Sequence, residues 1–178
     1  GRYEVSHRQG DKQENFFQLR QNIWHNHIAR VYSELKEQPL MEVDGRPTIG
    51  MQRTLYTIHT GILWAHFFDQ LGFRLVLTRP TDSEISSDGI EAMVSETCYP
   101  IKVSHGHIKA LIGKTRYLFL PSVVDMPTPN EQETGFYCPL VQSNYYMTKS
   151  SLDLDENVVF HPVIHLKNDL DTLALEMS

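Results

Sequence analysis

Apolar residues recur at helical spacing along the first part of the chain. From Asp11 to Glu37, Phe16, Leu19, Ile23, Ile28, Val31 and Leu35 follow at intervals of three to five residues with no glycine or proline between them. That spacing predicts one long amphipathic helix or two short ones. Gln38-Pro39 stops the pattern, and Val43-Asp44-Gly45-Arg46-Pro47 carries the turn residues of a boundary. Residues 1–45 therefore read as a helical linker or N-terminal appendage, and residues 46–178 as the domain proper.

The pattern then changes period. Thr48-Ile49-Gly50-Met51 reads as a short buried strand with a glycine permitting close backbone approach. A helix is predicted from Tyr56 to Gln70, with Leu55, Ile58, Ile62, Leu63, His66 and Phe67 on one face, before Leu71-Gly72-Phe73 supplies a glycine C-cap. Arg74-Leu75-Val76-Leu77 is the next strand. Strand, helix, strand at these lengths is a βαβ unit with parallel strands and a right-handed crossover. Further on, Pro80 to Val94 holds turn residues and a short helical stretch, with Thr81-x-x-Glu84 as a capping box. Pro100 opens a helix on which Ile101, Ser104, His105, Ile108 and Ile112 share a face, and Gly113 ends it. Tyr117 to Leu120 is a third strand and Pro121 to Thr134 a polar, proline-rich loop. Asn157 to Phe160 reads as another strand and Asp169 to Met177 as a terminal helix. The expected fold is α/β: an open, Rossmann-like, mainly parallel sheet flanked by helices, with an N-terminal helical segment.

Charge narrows the range of partners. A net charge of −6 over 178 residues provides no global attraction to nucleic acid or anionic lipid, and Lys102, Lys109, Lys114 and Arg116 read as a solvated face. No apolar stretch reaches the ~18 residues of a membrane helix. A cytoplasmic protein without nucleic-acid or membrane partners is expected. The opening Gly1-Arg2-Tyr3-Glu4 has no initiator methionine and no signal-peptide core, which suggests a segment of a longer multidomain polypeptide.

Chemistry concentrates on two cysteines. In an open parallel sheet, ligands bind where the carboxyl ends of strands meet the amino ends of the following helices, and both Cys98 and Cys138 map to that edge. Cys98 precedes the helix opened by Pro100, where the helix dipole favours a thiolate, the form that binds metals or acts as nucleophile. Two cysteines in a chain without a secretory signal suggest buried thiols or ligands rather than a disulfide framework. Two thiolates alone close neither a structural zinc site nor an iron–sulfur cluster, which usually take four ligands. His105 and His107 stand two apart on a helix and point in different directions, so they are read as structural, with His107 exposed or near the site. His59, His66, His161 and His165 are read as structural or solvent-facing. A thiol enzyme using Cys98 with His105 or His107 as base would require the chain to bend back over roughly two helical turns. No phosphate loop, GxGxxG, HExxH or GxSxG is present, so the chain is not read as an enzyme by itself.

Several blocks, in order, resemble a known family: Ile49-Gly50-Met51-Gln52-Arg53-Thr54-Leu55, Phe67-Phe68-Asp69-Gln70-Leu71-Gly72-Phe73, Glu96-Thr97-Cys98-Tyr99-Pro100 running on to His107, Tyr117-Leu118-Phe119-Leu120-Pro121, and Tyr137-Cys138-Pro139-Leu140-Val141-Gln142. They are similar to the domain of unknown function of CoA enzyme activase-related proteins, which is in turn similar to the cluster-carrying subunits of 2-hydroxyacyl-CoA dehydratases. The resemblance implies an accessory role in ATP-coupled, low-potential electron transfer. It implies ATPase domains of the actin/hexokinase type in the same polypeptide and a dehydratase-like partner. By that likeness Cys98 and Cys138 would ligate a [4Fe–4S] cluster, with Pro100, Lys102, His105 and His107 around it. Dehydratase-subunit relatives often carry a cysteine after the third strand, where Ser122 stands here, so the cluster is expected in a longer protein rather than in this segment alone. The alternative is a non-catalytic α/β binding or scaffolding module with structural cysteines.

Overall fold

The computed structural model describes residues 15–28, 32–35, 38–130 and 134–177. In chain order the elements are α1 (Phe16–Ile28), β1 (Tyr32–Glu34), β2 (Glu42–Val43), β3 (Arg46–Met51), α2 (Thr57–Gln70), β4 (Arg74–Leu77), α3 (Ser83–Glu91), α4 (Tyr99–Leu111), β5 (Tyr117–Phe119), β6 (Ser122–Asp125), α5 (Pro139–Gln142), α6 (Asn144–Ser151), a 3₁₀ turn (Glu156–Val158), β7 (Val159–Phe160), β8 (Val163–His165) and α7 (Leu170–Glu176). Strands β1-β4-β3-β5-β7 pair in that order, all parallel, and β2 pairs antiparallel with β3. The expected open, mainly parallel α/β sheet flanked by helices is what the chain forms.

Alternation along the strands sorts the core into two layers, because successive side chains face opposite ways. Ile49, Met51, Leu75, Leu77 and Phe119 pack with Trp64 and Phe68 of α2. Val76, Leu118 and Leu120 pack on the other face with Ile108 and Leu111 of α4 and Tyr145 of α6. The chain leaves β3 toward β4 on one side and returns to β5 on the other, so the strand order reverses about β3. The carboxyl ends of β3 and β5 therefore flank a switch point, the usual place for a ligand in such sheets.

Several elements differ from the sequence-based expectation. The predicted N-terminal helix is shorter: β1 follows α1 and adds an edge strand beside β4, extended by the Leu35 N–H donating to the Leu77 carbonyl at 2.7 Å. Asp44-Gly45, the turn residues of the expected boundary, turn β2 into β3, both residues having positive φ. The buried face of α2 is Thr57, Thr60, Gly61, Trp64, Ala65 and Phe68, whereas Leu63 and His66 are exposed. This helix has apolar residues on all sides, so periodicity could not single out a face, and the large Trp64 and Phe68, four residues apart, take the core. The N-cap of α3 is Asp82, whose carboxylate accepts from the Ile85 N–H at 2.9 Å, in place of the expected Thr81. Within the expected loop after Pro121, β6 pairs with β8. The N–H groups of Leu120 and Ser122 donate to the carbonyls of Phe160 and Pro162, each at 2.9 Å, so the β6–β8 pair carries the β5–β7 ladder onward past Pro121 and Pro162, residues that lack an N–H.

Helices α3 and α4 form an antiparallel pair that rises past the carboxyl edge of the sheet, with residues 92–98 at its tip. Their backbones touch at Gly89 and Gly106: a Cβ at Gly106 would collide with the Ile85 carbonyl, and one at Gly89 with that of Lys102. Backbone cannot yield as a flexible side chain can, so overpacking costs of about 1–3 kcal/mol or more apply. Gly106→Ala is expected to lower the unfolding free energy by that amount, seen as a lower urea midpoint with the m-value unchanged, in equilibrium unfolding followed by circular dichroism.

Candidate functional site

The first residue past β3 is Gln52, completely buried at the switch point. Its Oε1 accepts from Ser104 Oγ of α4 at 2.5 Å, and Ser104 Oγ accepts from Asn144 Nδ2 at the start of α6 at 2.9 Å. Gln52 also offers its carbonyl to the Thr57 hydroxyl at 2.6 Å. Three segments distant in sequence are thus tied by one buried polar chain. Gln52 Nε2 and Asn144 Oδ1 are buried with no hydrogen-bond partner, as is His105 Nε2 on α4. Orphans of this kind are rare in folded proteins, and they leave a donor and an acceptor open on either side of Ser104. Burial raises the Tyr56 hydroxyl pKa well above the usual phenol range; the Gln52 side chain opposes that rise without a well-aligned hydrogen bond from Nε2.

A second polar group lies at the end of β4. His107 is fully buried, with Nδ1 2.6 Å from Thr78 Oγ1 and Nε2 2.9 Å from Thr81 Oγ1. Thr78 Oγ1 also accepts from the Arg53 N–H at 3.1 Å. The arrangement that uses every donor has Thr78 donating to Nδ1 and Nε2–H donating to Thr81, which requires a neutral imidazole. Burial first, and the positive charge of Arg53 with it, depress the His107 pKa to about 4. Of the two alternatives for His107, exposed or near the site, the exposed one is corrected: on α4's inward face the ring is enclosed by the β4 end and the loop beyond.

The other sequence-predicted residues separate. His105 is buried too, its Nδ1–H donating to the Ile101 carbonyl at 2.9 Å. Its surroundings differ from those of His107, as two-residue spacing on a helix dictates. Pro100 sits exposed in the first turn of α4, and Lys102 pairs with Glu96 at 2.8 Å. His59 and His66 are exposed, His161 stacks on Tyr145 with centroids 4.0 Å apart, and His165 meets Glu176 at 2.9 Å.

Cys98 and Cys138 are free and exposed, which corrects the expectation of buried thiols. Each is the N-cap of a helix with proline in its first turn, and neither side chain makes a cap hydrogen bond. Cys98 precedes Ser104 by six residues, or ~9 Å of helical rise, so it stands beyond the sheet edge on the tip of the α3–α4 pair. Cys138 likewise precedes Asn144 by six residues, next to Tyr137, whose N–H donates to the Val124 carbonyl at 2.9 Å. The two thiols thus occupy separate arms that the Asn144–Ser104 hydrogen bond joins at their base. Among the described residues no group of three or more His, Cys, Asp or Glu converges as a metal site. With two cysteines in the chain, its own residues do not close a four-thiolate cluster.

Gln52, Asn144 and Thr78 carry no site reading from sequence, and Ser104 and Thr81 are read there only as a helix-face residue and a cap. Gln52 and Thr78 share one usable signal, a polar residue following a buried strand. Ser104 was placed on the correct helix face, but its partners lie 52 and 40 residues away.

Two outcomes follow. Ser104→Ala should destabilise the fold by about 1–3 kcal/mol, since it leaves both amides unpaired, and Ser104→Thr should recover part of it; urea unfolding reads both. His107 has a folded pKa below its unfolded value of 6.5, so the unfolded chain binds the extra proton between the two and stability falls as pH drops from about 6.5 to 4, by at most ~1.4 kcal/mol per pH unit. His107→Gln should flatten that slope in midpoints measured from pH 7 to pH 4.

The family model for the CoA enzyme activase uncharacterised domain matches residues 48–178, most of the chain, and the chain belongs to that family. No curated protein and no solved structure matches it. Among the described residues no helix is long and apolar enough to cross a membrane.

Proposed function

We propose that this member of the CoA enzyme activase domain family is an accessory domain in ATP-coupled, low-potential electron transfer. Cys98 and Cys138 are its contribution to an iron–sulfur centre whose other thiolates come from outside these residues. The observation that supports this reading is the exposure of both thiols at helix N-caps on two arms joined at their base. Cysteines kept only for packing are normally buried; these two are available to a partner. The partners that fit are an actin/hexokinase-type ATPase domain and a dehydratase-like protein. The chain supplies position: Cys98 opens α4 and Cys138 opens α5 after the β6 segment, each with an exposed thiol.

A second reading, a binding or scaffolding module, is favoured by the buried Gln52–Ser104–Asn144 chain with its open donor and acceptor, since such a switch-point group is suited to holding a small molecule or a fixed backbone rather than a metal. Anaerobic reconstitution distinguishes the two. Iron and acid-labile sulfide should be retained by the chain together with an activase-type ATPase and lost in Cys98→Ala and Cys138→Ala. No iron in any sample, with partner binding unchanged in the double alanine variant, would leave the module reading.

A further inference from the structure

A cleft of about 470 Å³ opens between α1 and the carboxyl ends of β3 and β4, lined in part by Arg20, Trp24, Arg53, Thr57, Pro80 and Thr81. Its volume lies within the range of small-ligand pockets, and it opens at the carboxyl edge of the sheet, on the β4 side of the switch point. The chain carries a net charge of −6, yet among the described residues this lining holds two guanidinium groups and no carboxylate.

The donors there exceed the acceptors. Arg53 lies over the Trp24 ring at 5.4 Å and gives one nitrogen, Nη1, to Glu34 at 3.1 Å. Arg20 is exposed, with its guanidinium over the Phe17 ring at 5.8 Å. Thr81 Oγ1 receives the His107 Nε2–H in the tautomer argued above, which leaves the hydroxyl proton to donate elsewhere. Trp24 Nε1 is buried with no acceptor. Trp24 itself is held over Gly61, where a Cβ would come within 2.9 Å of the indole; a side chain at position 61 would displace α1 and one wall of the cleft.

We propose that this cleft binds a small oxyanion, the phosphate or carboxylate head of a small molecule, between Arg20 and Arg53 with the Thr81 hydroxyl as a further donor. Guanidinium forks match such groups in a bidentate manner that a lysine cannot reproduce. Trp24 lines one side, so occupancy alters the environment of one of the chain's two tryptophans, the other being the buried Trp64. The site is separate from the cysteine arms and does not depend on the electron-transfer reading.

Titration of the full chain with inorganic phosphate and with acetate, at ionic strength held constant by sodium chloride, tests it by tryptophan fluorescence and calorimetry. A saturable change is expected with at least one of the two, and whichever binds more tightly identifies the headgroup. Arg20→Gln, an exposed substitution that leaves folding intact, and Arg53→Gln should each weaken binding about tenfold, as loss of a charge-assisted hydrogen bond does. Trp24→Phe should remove the fluorescence signal. Absence of saturation with both anions, or equal affinity in wild type and Arg20→Gln, would overturn the proposal.

Discussion

The contact between the backbones of α3 and α4 at Gly89 and Gly106 governs how α4 sits, and α4 carries Ser104, His105 and His107 and is capped by Cys98. With no side chain at either position the two helices meet at backbone distance, and with Gly50 bare on β3, Leu111 and Thr115 reach the sheet itself. The helix is consequently buried over most of its length from Ile101 to Leu111. Its rotation is set by these contacts, which is why Ser104 meets Gln52, His107 meets Thr78, and His105 turns back to its own backbone. A helix standing one methyl group farther out would offer none of these pairings at hydrogen-bond distance.

Burial on both faces brings a second constraint. Polar groups at the carboxyl edge of a parallel sheet lose water as the helices close over them, and each must find a partner or impose a desolvation cost of a few kcal/mol. Here the solution is a set of short links: the side chains of Gln52, Ser104 and Asn144 on the β3–β5 side, and the Arg53 backbone N–H to Thr78, then His107 and Thr81, on the β4 side. Gln52 and Arg53 are adjacent, so the two links start from one β3 exit and fan to either side of it. The first of these links keeps two unpaired atoms, Gln52 Nε2 and Asn144 Oδ1. The cationic group of the second, Arg53, leads into the cleft beneath α1. The edge therefore presents two chemically different places, one enclosed and neutral, one open and positive.

The thiols belong to neither. Cys98 and Cys138 stand past the edge, on the α3–α4 tip and on the segment that follows the β6–β8 extension of the sheet. The hydrogen bond between Asn144 and Ser104 fixes the bases of their two arms, while the thiols remain exposed. That combination, rigid support below and access above, is consistent with residues that meet something from outside the chain, and the family to which the chain belongs supplies the context of activases and their partners.

Much of the scaffold was legible in the residue pattern. The βαβ unit from Thr48 to Leu77, the proline-opened helix after Cys98 and the strand at Tyr117 are local signals: period, caps and glycine stops act within a few residues, and short-range sterics decide them. The family resemblance was legible for the same reason, as runs of contiguous residues. The pattern could not determine which face of α2 is buried, that Tyr32 to Glu34 adds a strand to the edge, or that Ser122 to Asp125 pairs with Val163 to His165. Those outcomes rest on partners 40 or more residues away, and a three-residue strand has no period of its own. The exposure of the cysteines and the burial of His107 also required the tertiary structure. Solvent access depends on where the α3–α4 pair overhangs the sheet, and that is set by two glycine contacts between helices rather than by anything adjacent to the cysteines in sequence.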